Sequence, residues 1–229
     1  MTSPALSEAQ VEALRLTGFV NLGVCHDLDL VALAMRLGQP VPSVDGDDLV
    51  DQLGAPRPEG YSAREFATVY AGRQMPFHTD CAYQDPPPRY AIMRLRSDAQ
   101  SDRPTLFIDI HSADLPAEQW RALRREPWYV EDGASRRRLT RVLRFDTRSR
   151  SDVLIWDTNC MRPYFRRRSV AAGIMEGMIN SASPKVVNWE PGQTVVFDNW
   201  RYLHTLGERQ GRPVMEGGRR ILERVLVRV

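Results

Sequence analysis

Short apolar runs separated by turn residues follow one another along the chain from about residue 66 onward. Six of these runs are rich in β-branched and aromatic side chains and are bounded by turn residues, which predicts strands at 66–70, 90–96, 105–110, 153–156, 194–197 and 221–227. In the last run Arg220, Leu222, Arg224 and Leu226 share one face, because side chains on a strand alternate between its two sides. We therefore expect most of the chain to form β-sheet.

The first forty residues have helical spacing instead. Ser7 and Gln10 have the S-x-x-Q form of a capping box, and Gly18 offers a stop, which predicts a first helix. A second helix is predicted with Asp27 as its N-cap and Gly38 at its end. Its apolar face is made of Leu30, Leu33, Ala34 and Leu37. The segment 19–24 between the two helices is predicted to be a strand.

Two more helices interrupt the strands. One opens near Pro116 and runs to about Arg124, and the other has Val170, Ile174 and Met178 at intervals of four. Helices and strands do not alternate one for one, which favours a mainly β fold with peripheral helices (α+β) over a parallel α/β sheet. We expect a double-stranded β-helix, or jelly roll.

The domain organisation follows from the same pattern. The segment 45–63 is rich in Gly, Pro and Asp without a hydrophobic period, which predicts a loop and a candidate lid. No repeat or linker composition divides the chain. A single domain at 1–229 is expected, with helices at about 7–38 and the jelly-roll core at about 66–229.

Composition argues against several classes of protein. The 31 basic and 29 acidic residues nearly cancel, so no overall field favours nucleic acid or membrane as a partner. Cys25, Cys81 and Cys160 lack the spacings of zinc or redox motifs and are expected to be free thiols, as is typical of a reducing compartment. No signal segment and no apolar run of roughly 18 residues is found. A cytoplasmic protein is expected, and its oligomeric state is left open.

Three residues form a candidate metal site. His78 and Asp80 are two apart, so in extended chain both side chains leave the same face. His204 is the best placed third ligand, because it follows a strand and a polar turn. Two histidines and one carboxylate make the facial triad that suits non-haem iron(II). An isolated His-x-Asp is also common on protein surfaces, so the pair alone does not decide the matter.

The last strand adds a candidate anion site. Arginine on an otherwise apolar strand face is costly unless it meets an anion, and its planar fork suits a carboxylate. Arg220 and Arg224 are separated by roughly 13 Å along the strand, so they are not expected to hold the same small carboxylate. The alternative is an edge strand with both side chains in solvent.

Together, His78, Asp80, the distal His204, Arg220 and Thr105 resemble the TauD/TfdA (clavaminate synthase-like) family of iron(II)/2-oxoglutarate dioxygenases. The run Phe197-Asp198-Asn199-Trp200-Arg201-Tyr202-Leu203-His204 resembles its γ-butyrobetaine hydroxylase-like branch. The resemblance implies that His78, Asp80 and His204 bind iron and that Thr105 and Arg220 bind the distal carboxylate of 2-oxoglutarate. Arg224 matches a position that contacts an anionic substrate group in some members. O₂ is the second co-substrate.

Two departures from the family pattern bear on these roles. Gly-Gly often precedes the Thr, whereas this chain has Ser101-Asp102-Arg103-Pro104. Asp80 stands where related halogenases have a small residue, which argues against halogenation.

The substrate is the least defined part of the function. The resemblance implies hydroxylation of an unactivated C–H bond in a small molecule, an amino acid or biosynthetic intermediate, with release of succinate and CO₂. Tyr83 and Trp200 are candidate substrate contacts, and the arginines of 136–144 and 162–168 are candidates for an anion-attracting entrance or for solvated surface. Desaturation, cyclisation and a non-catalytic anion-binding jelly roll are the alternatives; nucleic-acid binding lacks interleaved aromatic residues.

Overall fold

A computed structural model describes residues 6–43, 48–54, 75–132, 136–165, 169–209 and 220–229. Four α-helices lie within these ranges: α1 (Glu8–Thr17), α2 (Leu30–Leu37), α3 (Ala117–Arg125) and α4 (Val170–Ser181). The strands are β1 (Phe19–Val24), β2 (Gln39–Val41), β3 (Asp51–Leu53), β4 (Tyr90–Leu95), β5 (Thr105–Asp109), β6 (Trp128–Glu131), β7 (Arg137–Thr140), β8 (Leu143–Asp146), β9 (Ser151–Leu154), β10 (Met161–Pro163), β11 (Lys185–Val187), β12 (Gln193–Asp198), β13 (Tyr202–Leu206) and β14 (Leu222–Arg228).

The amino-terminal helices follow the predicted pattern with one correction. The Ser7–Gln10 capping box is present, and Gly18 ends α1 in the left-handed region at φ 69°. The N-cap of α2 is Asp29 and not Asp27. The Asp29 carboxylate accepts hydrogen bonds from the backbone N–H groups of Val31 and Ala32 at 2.9 and 3.0 Å. Both aspartates have cap chemistry, and Asp29 directly precedes the first helical residue.

The largest sheet is antiparallel and has six strands in the order β1-β12-β4-β14-β2, with β3 paired to β14. Its strands alternate between two cores. Ala91, Met93 and Leu95 of β4 face one core, whereas Ile92 faces the other. The predicted face of β14 is confirmed, because Leu222 and Leu226 belong to the first core and Val225 belongs to the second.

The two faces of this sheet have different neighbours. α1 and α2 cover the Ile92 side through Leu14, Leu33 and Ala34. The opposite side packs on Phe107 of β5 and Tyr202 of β13, which belong to the three-stranded antiparallel sheet β11-β5-β13. A third core joins α3 and α4 to β6 and β9, with Leu123, Trp128 and Met175 fully or nearly buried. The described fold is therefore mainly antiparallel β with peripheral helices.

Several sequence predictions need revision. The predicted loop at 45–63 contains the short strand β3, and its remaining parts at 45–47 and 55–63 lie outside the described residues, as does the predicted strand at 66–70. The prediction that His204 follows a strand and a turn is confirmed, because β12 ends at Asp198, the turn ends at Arg201 and His204 lies in the middle of β13. The predicted strand at 153–156 begins two residues earlier, at Ser151. The apolar residues at 153–156 are buried in the core, but the strand itself covers 151–154, so the apolar run predicts burial better than it predicts the ends of the strand.

Two predictions from composition can be compared with the structure. All three cysteines are free thiols. In the described ranges, every helix falls short of the length and apolarity that crossing a bilayer requires.

Gly54 closes β3 beside the candidate anion site. Its φ of +91° lies in the left-handed region, and a Cβ there would collide with the backbone carbonyl of Arg220. Only glycine therefore lets the chain pass this close to Arg220.

We predict that Gly54→Ala lowers the free energy of unfolding by about 1–3 kcal/mol, because the new methyl group adds backbone strain and pushes against Arg220. Chemical denaturation measures this change. The matched control is Gly173→Ala, on an exposed turn of α4 where a Cβ meets no neighbour. There the same substitution should stabilise the protein by up to about 1 kcal/mol. Equal effects at both positions would contradict the role given to Gly54.

Candidate active site

The three candidate metal ligands meet in the interior of the protein. One potential ligand atom from each of His78, Asp80 and His204 lies within 4.8 Å of the others, and all three residues are buried. They are the one such group of His, Cys, Asp and Glu found in the described ranges. Between their side chains, His204 Nε2 lies 3.7 Å from Asp80 Oδ2.

A short piece of antiparallel pairing brings the two histidines together. His78 donates its backbone N–H to the carbonyl of His204 at 3.1 Å, and His204 donates to the carbonyl of His78 at 2.9 Å. Directly opposed residues in such a pair project their side chains to the same face. The ring centroids accordingly lie 4.4 Å apart. Asp80 follows two residues later and reaches the same space.

Hydrogen bonds and ring contacts fix the two imidazoles. His78 Nδ1 lies 3.0 Å from the carbonyl oxygen of Pro76. Because a carbonyl only accepts, this bond places the proton on Nδ1 and leaves the lone pair of the ring on Nε2. The ring of His204 is held by aromatic contacts with Phe107 and Phe197, at centroid distances of 6.0 and 5.2 Å.

The protonation states suit a metal site. Burial lowers the pKa of His204 to about 3, against the attraction of Asp80. Burial raises the pKa of Asp80, but the charge and hydrogen bond of Arg224 together with the two histidines outweigh burial and keep this pKa below its usual value. At neutral pH the site therefore offers a neutral imidazole and a carboxylate, as a divalent metal requires.

The cluster also contains polar atoms that the protein leaves without partners. Asp80 Oδ2 and His204 Nδ1 are buried and receive no hydrogen bond from any described residue. Such atoms are rare in folded proteins, because each one forfeits its hydration. A divalent cation bound at Asp80 Oδ2 would relieve the cost at that oxygen. The residues present therefore fit a metal ion.

Asn199 fixes the backbone around Asp80. Its side-chain carbonyl accepts the N–H of Asp80 at 2.7 Å, and its amide donates to the carbonyls of Asp80 and Pro88 at 3.0 and 2.8 Å. Asn199 is completely buried. It lies in the turn between β12 and β13, so the segment that carries His204 also holds the Asp80 ligand in place. No separate feature of the sequence predicts this role, although Asn199 belongs to the run that carries the family resemblance.

Arg220 and Thr105 are brought together next to the cluster. Arg220 donates Nη2–H to the Thr105 hydroxyl at 2.9 Å, and the indole N–H of Trp189 donates to the same oxygen at 2.8 Å. Arg220 forms no salt bridge with any residue that the structure describes, and its Nε is buried without a partner there. Burial lowers its pKa to about 10, and the nearby charge of Arg103 adds to the effect. A buried cation that forms no salt bridge within the described ranges is a strong receptor for an anion.

The candidate substrate residues have different surroundings. Arg224 faces the cluster and forms ion pairs with Asp80 and Asp51. Tyr83 is partly buried, and its hydroxyl donates to the carbonyl of Ser43 at 2.5 Å. Trp200 is 3 % exposed, and its indole N–H donates to the carbonyl of Pro87 at 2.9 Å. Substrate contact by these residues stays a prediction, and the contacts of Trp200 also give it a structural role.

The arginine clusters divide into inward and outward side chains. Arg138 and Arg144 both pair with Asp85, at 3.2 and 2.5 Å, five residues after Asp80 in the chain. Arg136 and Arg137 pair with acidic neighbours at the surface. Arg162 donates to backbone carbonyls, and 166–168 lie outside the described residues. Most of these charges are compensated by neighbouring groups of the protein.

Solved structures share the fold. The chain matches a taurine dioxygenase from Burkholderia xenovorans with a TM-score of 0.71 at 17% identity, over 98% of this chain and 83% of that one. It matches asparagine oxygenase in complex with Fe(II), 2S,3S-3-hydroxyasparagine and succinate with a TM-score of 0.70 at 17% identity, over 96% and 77%. Non-heme iron oxygenase OrfP, in complex with Fe, succinate and (3S)-hydroxy-L-Arg, gives a TM-score of 0.66 at 17% identity, over 87% and 65%.

These likenesses establish the fold of TauD-like non-haem iron oxygenases for this chain. The chain spans just under two thirds of OrfP. No family model matches the sequence, and no curated protein matches it. The identities are too low to transfer an activity by themselves, so the function depends on the geometry of the site.

We predict that Asn199→Ala weakens metal binding about 10- to 100-fold, because the backbone of Asp80 loses the amide that holds both of its polar groups. Anaerobic equilibrium dialysis with Fe(II) measures the affinity, and circular dichroism checks that the variant is folded. Asn21→Ala is the control, since Asn21 is exposed and its side-chain oxygen accepts a hydrogen bond from the nearby Gly23 N–H, away from the cluster. A folded Asn199→Ala protein with unchanged affinity would contradict the role of Asn199.

Proposed function

We propose that the chain is a non-haem iron(II)/2-oxoglutarate-dependent oxygenase that hydroxylates an unactivated C–H bond of a small molecule. The observation that carries this proposal is the buried cluster of His78, Asp80 and His204. Beside it lies Arg220, whose guanidinium donates to Thr105 and forms no salt bridge with the residues that the structure describes. Structural likeness to iron oxygenases supports it. A cytoplasmic location and a single domain at 1–229 remain part of the prediction.

The cluster has the composition of a facial triad. His78, Asp80 and His204 would hold the iron on one face and leave three coordination positions for other ligands. Bound iron with 2-oxoglutarate supplies O₂ activation, with release of succinate and CO₂. The chain's own contribution is to keep the imidazoles and the carboxylate in the required protonation states and to surround them with apolar side chains such as Phe107 and Phe197.

Arg220 and Thr105 are assigned to the distal carboxylate of 2-oxoglutarate. The guanidinium supplies charge and a planar pair of donors, and the Thr105 hydroxyl, which already accepts from Arg220 and Trp189, has its proton left to donate. The absence of a carboxylate partner for Arg220 in the described part of the chain supports this assignment. The departure before Thr105 in the sequence does not move its hydroxyl away from Arg220.

An amino acid or a related biosynthetic intermediate is the proposed substrate. Asparagine oxygenase and OrfP are complexed with hydroxylated amino acids, and both share the fold. Tyr83, Trp200 and Arg224 are the candidate substrate contacts. A jelly-roll closure is proposed for the sheets, because the six-stranded sheet and β11-β5-β13 pack face to face around one core.

We predict a weak visible charge-transfer band when iron(II) and 2-oxoglutarate are added together under anaerobic conditions. His78→Ala or Asp80→Ala should abolish this band and all substrate-dependent succinate formation, since each variant removes a ligand. His111→Ala is the control, because His111 is exposed in the short 3-10 helix after β5. No band in the wild-type protein would favour a non-catalytic anion-binding protein.

Arg220→Met should raise the 2-oxoglutarate concentration needed for half-maximal band intensity about 10- to 100-fold, because the distal carboxylate loses its charged partner. The affinity for iron(II) measured without 2-oxoglutarate should stay within about twofold, since Arg220 is not a ligand. Arg121→Met, on the exposed side of α3, should change neither value. If Arg220→Met leaves the 2-oxoglutarate concentration for half-maximal band intensity unchanged, Arg220 does not bind the distal carboxylate.

A further inference from the structure

Arg224 differs from Arg220 in having a carboxylate partner built into the sheet. Asp51 of β3 lies directly opposite Arg224 of β14 in the antiparallel register. Arg224 donates to Asp51 Oδ2 from Nη2 at 2.7 Å and from Nε at 3.2 Å. Its Nη1 donates to Asp80 Oδ1. All three nitrogens of the guanidinium are therefore engaged by carboxylates of this chain.

Asp51 is itself held in place. Its second oxygen, Oδ1, accepts a hydrogen bond from the Ser43 hydroxyl at 3.0 Å. The side chains of Arg224 and Asp51 are 12 % and 5 % exposed, so water does little to screen their attraction. The pairing is thus a fixed, buried part of the site and not a surface contact.

We infer that Asp51 fills the anion-binding position of Arg224, so that the substrate group lying against this pair is neutral or positively charged. This inference rests on the proposed function and narrows its substrate class. It revises the expectation from sequence that Arg224 contacts an anionic substrate group. Asp51 is then a specificity-determining residue, although it lies in the segment that the sequence predicted to be a loop.

The charges of the site support this assignment. Arg224 contributes one positive charge, and it already faces the two carboxylates of Asp51 and Asp80. A carboxylate or sulfonate could reach the guanidinium only by displacing Asp51, which would leave a buried carboxylate without its cation. A neutral amide or a cationic group meets no such penalty, because it does not have to displace Asp51 from the guanidinium.

A second buried acid points the same way. Asp157 is 4 % exposed and forms no salt bridge with any described residue. It follows Trp156, whose carbonyl accepts the N–H of Thr79, the residue between the ligands His78 and Asp80. Asn159 donates to Asp157 Oδ1 from its backbone and its side chain, at 2.8 Å each. Next to the segment that carries the ligands, the protein therefore places a further negative charge.

The test is a calorimetric titration of metal-free, full-length protein with methanesulfonate. All variants carry Arg220→Met, so that the guanidinium of Arg220 cannot bind the methanesulfonate. The protein with this substitution alone is the parent. The parent should bind methanesulfonate too weakly to measure. Adding Asp51→Asn should increase the affinity about 10-fold or more and make binding measurable, because the Nε and Nη2 donors of Arg224 lose their carboxylate while Asp80 stays at Nη1. Adding Arg224→Met as well should remove the gain.

Glu223→Gln is the matched control. Glu223 is the next residue to Arg224 in the strand and pairs with Arg94 at 2.7 Å on the opposite face of the sheet, with a side chain that is 16 % exposed. It removes the same charge at a similar depth and should leave methanesulfonate binding undetectable.

Three results would overturn the inference. The first is measurable binding of methanesulfonate to the parent, if Arg224→Met abolishes that binding. The second is an Asp51→Asn protein that folds but binds methanesulfonate no more tightly than the parent does. The third is failure of both Asp51→Asn and Asp51→Ser to fold, which would make the pair a requirement of the fold. The titration contains no iron and no 2-oxoglutarate, so its results do not depend on the charge-transfer band that tests the proposed function. If that band is not observed, the titration can still be carried out and interpreted.

Discussion

The two-way backbone hydrogen bond between His78 and His204 is the constraint on which the site depends. It joins the segment that contains His78 to the centre of β13, and it places both imidazoles on the same face. Asn199 extends the constraint to Asp80, because its amide holds the Asp80 backbone from the turn that leads into β13. Three candidate ligands from two distant parts of the sequence are thereby placed by main-chain and amide geometry, without dependence on long flexible side chains.

Arg220, which lies just before β14, and Arg224, which lies within it, have opposite properties. Arg220 meets a hydroxyl and lacks a carboxylate in the described part of the chain, so it is open to an anion. Arg224 is four residues further along the same face and is closed by Asp51 across the sheet and by Asp80. The difference arises from the neighbouring strand and not from the residue type. A short strand such as β3 can therefore decide whether an arginine on the neighbouring strand is available to an anionic group.

Much of this arrangement is encoded in local sequence, and some of it is not. Period-two alternation predicted β4, β12 and β14 and the face shared by Leu222 and Leu226, and cap chemistry predicted α1. The strand β3 was missed, because three residues in a Gly- and Pro-rich segment carry no period of their own. The roles of Asn199, Asp51 and Trp189 depend on contacts across the sheets, which spacing along the chain does not report. The candidate ligands could be identified from the sequence, because few residue types bind metal ions and the spacing of these residues is distinctive. Their assignment as ligands is still a prediction.

The central claim is that His78, Asp80 and His204 bind one ferrous ion with the distal carboxylate of 2-oxoglutarate at Arg220. An anaerobic crystal structure of the protein with iron(II) and 2-oxoglutarate, with anomalous data collected at the iron edge, tests this most directly. The account predicts a single strong anomalous peak bound by the two imidazoles and Asp80, with a carboxylate hydrogen-bonded to Arg220 and Thr105. Iron at another position, or 2-oxoglutarate whose distal carboxylate does not reach Arg220, would contradict it.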